Sequence, residues 1–121
     1  MSATTNMTIK LNNNTDANKA AAIMKEVASK VTPDYPTEIS KFVADIIVED
    51  CTVKVEESFS LMSCTFCDMI PQIMRAVARS GFGPMTMEAW FTSYNCGYEA
   101  EFSGRVYKNG KFTMTFNEHD D

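Results

Sequence analysis

Four cysteines, at positions 51, 64, 67 and 96, are the most reactive side chains in the sequence. Two of them form the motif Cys64-Thr65-Phe66-Cys67. A thiolate attacks disulfides and ligates soft metals, and a helix N-terminus favours the thiolate. This CxxC stands between an alternating segment and a helical one, the placement a redox pair requires. Four thiols also suffice for a structural zinc ion. Such sites usually come as two paired knuckles, whereas Cys51 and Cys96 stand alone. The simpler reading is small, half-apolar thiols packing a helix start. Cys51, Cys64, Cys67 and Cys96 are therefore the only candidate metal set, and no cofactor is expected.

Carboxylates are the next candidates. Asp45, Glu49, Asp50, Glu56 and Glu57 crowd one junction, with Lys54 the only base among them. That density suits a surface imitating phosphate charge, and is otherwise a solvated face. Arg75 and Arg79, four apart on a helix, can grip a carboxylate or phosphate. Trp90, Thr92 and Tyr94 alternate with Met87, Ala89 and Phe91, which places the two sets on opposite faces of a strand. Tryptophan and tyrosine are common interface anchors. The Trp90 strip is open to a partner if helices cover one face only and the segment 39–48 does not lie over it. The candidate binding surface is Trp90, Thr92, Tyr94, Asp45, Glu49, Asp50, Glu56, Arg75 and Arg79. His119 is the single histidine, which removes His–His metal motifs and disfavours Ser–His or Cys–His catalysis. No Gly-rich phosphate loop, G-x-S-x-G or H-E-x-x-H is present. No catalytic residue is assigned and a non-enzymatic protein is expected.

These groups must be held by periodic segments. Met7, Ile9 and Leu11 alternate as a short strand. Ala20, Ile23, Met24, Val27, Ala28 and Val31 form one face of a helix over 16–31, capped by Thr15 or Asp16 and stopped by Pro33. Residues 32–37 read as a stiff linker. Over 39–48 the β-branched content suits a strand, but five apolar positions keep the helical spacing and no alternation survives, so a helix is expected. Residues 51–61 alternate, with Val53, Val55, Phe59 and Leu61 on one face and Ser58 on the other. A helix over 67–80 carries Ile70, Ile73, Met74, Val77 and Ala78, with Asp68 as cap, Pro71 in the first turn and Gly81 at its end. Three strands follow, over about 85–94, 98–107 and 111–117. Gly104 suggests a bulge, and Asn109-Gly110 a type I′ turn.

The expected fold is α+β. It is one two-layer domain over 1–121 with a mainly antiparallel sheet and two or three helices on one face. Residues 1–6 and 118–121 are expected to be flexible. A strand at 39–48 would give the ferredoxin-like βαββαβ order plus a C-terminal hairpin.

The 121 residues carry a formal charge of −5 and are 45% apolar, ordinary globular usage. The acidic balance argues against direct nucleic-acid binding. No apolar run is long enough to span a membrane, and no signal peptide is visible, so a cytoplasmic chain with reduced thiols is expected. Together these features point to a small module that binds another protein. Its sharpest form is an acidic phage or mobile-element inhibitor, of anti-CRISPR or anti-restriction type, which occupies the basic groove of a host nucleic-acid-binding enzyme. The alternatives are a cysteine-dependent protein, zinc-stabilised or redox-active, and a self-associating structural subunit, a homo-oligomer.

Overall fold

The computed structural model describes residues 3–31, 36–60, 63–94 and 97–120. The linker residues 32–35, Leu61, Met62, Asn95 and Cys96 lie outside them, as do the side chains of Val31, Phe59, Cys64, Cys67 and His119. In chain order the elements are β1 (Ala3–Lys10), α1 (Asn14–Val31), α2 (Pro36–Ala44), β2 (Ile46–Glu49), β3 (Thr52–Ser60), α3 (Ser63–Ala78), β4 (Met85–Ser93), β5 (Tyr98–Val106) and β6 (Phe112–Asp120). The strands form one antiparallel sheet in the order β2-β3-β1-β4-β5-β6. β3 lies between β1 and β2, and β1 between β3 and β4. This is the ferredoxin-like split pairing, extended here by a helix (α2) and by the hairpin β5–β6.

α1 packs against both α2 and α3, and all three touch the sheet, so they form one layer on one face. Between the layers lie Phe42, Phe91, Met7, Ile9, Met24, Met69, Ile70, Ile73, Met74 and Met87, all fully buried. Each such side chain stabilises the fold by roughly 1.5–3 kcal/mol against its exposed state. The helix over 16–31 is present with its apolar stripe, but its cap is Asn13. The Asn13 Oδ1 accepts the Asp16 N–H at 2.8 Å, and Asn13 Nδ2 donates back to Asp16 Oδ2 at 3.2 Å. Thr15 and Asp16 lie within the helix rather than capping it.

The ambiguous segment is both things in turn. Ile39 and Phe42 keep the helical spacing and are buried from α2, and the β-branched Ile46-Ile47-Val48 forms β2. β1 begins at Ala3 and β6 runs to Asp120, so most of the two ends expected to be flexible belongs to the sheet. α3 begins at Ser63, earlier than its apolar stripe suggests. The CxxC therefore opens the helix, Asp68 is not its cap, and Pro71 is an interior residue. Gly81, at φ 78°, follows the helix end in the left-handed conformation that glycine adopts readily.

β3 changes phase midway. Its register against β1 shifts between Thr5 and Met7, with Glu57 at φ 46°. Asn6 holds this bulge, its Oδ1 accepting the Glu57 N–H at 2.9 Å. The phase change turns Ser58 inward, against the simple alternation, to face Thr5 across the strands. Thr5, Ser58 and nearby Ser93 are buried at one end of the sheet, and none of their hydroxyls has a hydrogen-bond partner.

Gly104 is no bulge, because both of its ladders run through it unbroken. It is a point of close approach. A Cβ there would stand 2.9 Å from Met74 Cε and 3.3 Å from Phe112 Cε1. The β5–β6 turn also differs from type I′, in which both central residues have positive φ. Only Gly110 does, at 86°. The Gly110 N–H donates to the Tyr107 carbonyl and the Tyr107 N–H to the Lys111 carbonyl, both at 2.9 Å. This is a three-residue loop closed by a glycine bulge.

Candidate protein-binding surface

Along β4, Met85, Met87, Ala89, Phe91 and Ser93 are buried under the helices. Trp90 and Thr92 are half-buried on the opposite face, and Tyr94, beyond the strand end, is exposed. No described helix lies on that opposite face. α2 and β2 do not cover it either, because Ile39, Phe42 and Ile46 join the core on the helical side. The outer face of the sheet is therefore bare among the described residues, with Trp90 near its middle.

Strand register places the neighbours of the indole. Asn6 on β1 and Glu101 on β5 stand opposite Trp90 on either side. One row along, Thr8, Glu88 and Ser103 align, and on the other side Thr4, Thr92 and Glu99. Asn6, Thr8, Glu88, Trp90 and Glu101 line a shallow open depression of about 210 Å³. The indole is oriented by its Nε1–H, which donates to Thr92 Oγ1 at 2.9 Å. Asn6 is fixed by the bulge bond to Glu57. Tyr94 OH lies 3.4 Å from Thr4 Oγ1 at the end of the strip.

Charge on this face is uneven. Glu88, Glu99 and Glu101 surround Trp90. Among the bases of the same face, Lys54 pairs with Glu49 at 3.0 Å and Arg105 stacks over Tyr107 at 5.5 Å. The Glu49 carboxylate holds the Lys54 ammonium pKa above its ordinary value, through the hydrogen bond first and the charge second. An aromatic plane ringed by three carboxylates is chemically suited to a Lys or Arg side chain, by cation–π attraction and charge-assisted hydrogen bonding. It offers no paired acid and base.

The other candidate residues lie elsewhere. Asp45 directly follows α2, one residue before the Ile46–Val55 pair, and so stands near Glu56. Glu49 and Asp50 lie at the far end of β2, in the hairpin turn, where Asp50 has φ 55° and its carbonyl accepts from Asn14 Nδ2 at 2.7 Å. The acidic junction is thus divided along β2. Arg75 on α3 and Arg79, just past its end, are exposed in the helical layer and share no surface with Trp90. Cys51 lies in the β2–β3 turn, half-buried, while the CxxC follows the opposite end of β3. The nine residues of β3 lie between Cys51 and the CxxC along the chain, and the side chains of Cys64 and Cys67 are outside the described residues. Cys96 lies outside the described residues. Among those residues no group of three or more His, Cys, Asp or Glu side chains is placed to hold a metal ion, and no helix is long and apolar enough to cross a membrane.

Asn6, Thr8, Glu88, Glu99 and Glu101 are surface residues that sequence reasoning missed. The alternation of β4 already puts Glu88 on the Trp90 face. Asn6 and Thr8 join it only through the placement of β1 beside β4. Compared with protein-family models, curated proteins and solved structures, the chain matches none.

Proposed function

We propose that this protein is a non-enzymatic binding module that docks a basic partner protein on the bare face of its sheet. The supporting observation is the oriented Trp90, ringed by Glu88, Glu99 and Glu101 on a face that no described helix covers. Trp90 supplies the desolvated anchor and the carboxylates steer and select the partner. In its most specific form the partner is a nucleic-acid-binding enzyme, with the carboxylates standing where phosphates would. Inhibition of that enzyme would then follow from occupancy of its groove.

The test uses the purified chain as bait for basic nucleic-acid-binding enzymes, beside Trp90→Ala and Glu88→Gln/Glu101→Gln variants. Binding by the parent chain, lost in Trp90→Ala, is expected. Affinity should fall as salt rises, because exposed charges are screened within about 10 Å at 0.1 M. In the double-Gln variant both the affinity and its salt dependence should shrink. Equal binding by all three proteins, or binding indifferent to salt, refutes the proposal.

A further inference from the structure

The two edges of the sheet differ. β2 is four residues long and ends in Glu49, with Asp45 before it. A short, charged edge resists pairing with another chain. β6 has nine residues, and Phe112-Thr113-Met114-Thr115-Phe116-Asn117 contains no charge and no proline. Among the described residues the helices leave it largely uncovered. Phe112 and Met114 are half-buried, and Phe116 is 45% exposed. An uncharged alternating strand at an open edge is a template for another strand.

Register decides which backbone groups face outward. Tyr107 and Lys111 exchange a backbone hydrogen bond at the β5–β6 turn, and bonded pairs alternate along an antiparallel ladder. Thr113, Thr115 and Asn117 therefore bond back to β5. Phe112, Met114, Phe116 and Glu118 direct their N–H and C=O groups to the free edge. The same four residues carry their side chains on the helical face, in line with Val106, Gly104, Phe102 and Ala100 of β5. The unpaired backbone and the uncovered apolar row thus belong to the same residues.

We infer that the β6 edge is a homodimer interface, in which two copies pair β6 antiparallel about a two-fold axis to form one continuous twelve-stranded sheet. The choice of a second copy rests on charge. Lys108 and Lys111 precede the uncharged run, and Glu118 and Asp120 follow it. Antiparallel self-pairing sets the basic end of each strand beside the acidic end of the other, whereas parallel pairing sets like beside like. The axis must keep both apolar rows on one side of the joint sheet. The register that matches them fully places Met114 against the partner's Met114, and Phe112 against the partner's Phe116. The interface is isologous and closed, so it ends at two copies. It leaves the Trp90 depression open and is independent of the function proposed above.

The experiment is sedimentation of the full chain over a concentration series under reducing conditions, with four variants. The parent is expected at twice the 13.5 kDa chain mass. Phe116→Lys, at an exposed position, and Met114→Pro, which removes an outward-facing N–H, are each expected to abolish the dimer with an unchanged circular-dichroism spectrum. Trp90→Ala is expected to keep it. Met114→Cys is expected to cross-link to itself on oxidation, beyond any background of the parent, since a bonded strand pair holds Cα atoms about 5.5 Å apart, within disulfide reach. A parent of single-chain mass throughout overturns the inference. So does a dimer that survives both Phe116→Lys and Met114→Pro, or one lost in Trp90→Ala.

Discussion

Replacing Thr5 by valine should stabilise this protein. Thr5 sits on β1 at the centre of the sheet, 1% exposed, with Ser58 opposite on β3 and Phe91 opposite on β4. Its Oγ1 has no hydrogen-bond partner. Burying an unpaired hydroxyl costs about 1–3 kcal/mol relative to leaving it in water. Valine has the same branched shape and a similar strand preference, so the change exchanges hydroxyl for methyl at little steric cost. The expected gain is about 1–2 kcal/mol, a rise in Tm of about 4–8 °C for a chain of this size. Urea unfolding followed by the fluorescence of the single tryptophan gives the number directly, with an unchanged slope expected. Thr5→Ala is the control, since it removes a methyl as well and leaves a cavity, and should fall below Thr5→Val. A Thr5→Val protein less stable than the parent by about 1 kcal/mol would refute the reasoning, because the hydroxyl would then be satisfied, for example by a buried water.

Three further outcomes follow from described contacts. Asn13→Ala removes the acceptor of the Asp16 N–H and should cost about 1 kcal/mol in urea unfolding. Gly104→Val drives a branched side chain against Met74 and Phe112 and should cost about 1–3 kcal/mol. Gly104→Ala should cost less, because the Met74 methyl is the mobile end of a flexible side chain. Pro71→Ala restores a backbone donor inside α3 and should stabilise the fold by up to about 3 kcal/mol, read as a higher urea midpoint.

What the sequence made legible divides along the range of the cause. The stripes of α1 and α3 and the alternation of β4, β5 and β6 arise from neighbours a few residues apart, and all five elements are present. The bulge at Glu57 is held by Asn6, 51 residues away, and no local pattern announces it. Simple alternation therefore puts Ser58 on the wrong face. The α2–β2 break was hidden for a different reason, since Ile39 to Val48 satisfies a helical spacing at one end and β-branched content at the other. The cap of α1 was hidden because Thr15 and Asp16 are as suited to capping by residue type as Asn13, and only the geometry selects Asn13. For the candidate surface, the outward face of Trp90, Thr92 and Tyr94 was readable from β4 alone. The ring of carboxylates was half-readable, because Glu88 shares the Trp90 face by the alternation of β4, whereas Glu99 and Glu101 meet it only through the pairing of β5 with β4. Arg75 and Arg79 and the acidic junction were legible as groups and illegible as places, since nothing local fixes which side of a two-layer fold a polar face occupies.

The position of β1 has a kinetic side. It is the centre of the sheet, yet its pairs run from Lys10–Thr52 on one flank to Ala3–Ser93 on the other. As the chain is synthesised, β1 emerges before either partner exists. The hairpin β2–β3 and the meander β4–β5–β6 are each closed by short turns and can form early, but each then presents a raw inner edge until β1 slots between them. Such long-range closure carries a large loop entropy and slows folding. Closure of the sheet therefore rests on its pairs of greatest sequence separation, and if the two part-sheets form first, the vacant β1 seat is the opening that a chaperone or a neighbouring chain would find.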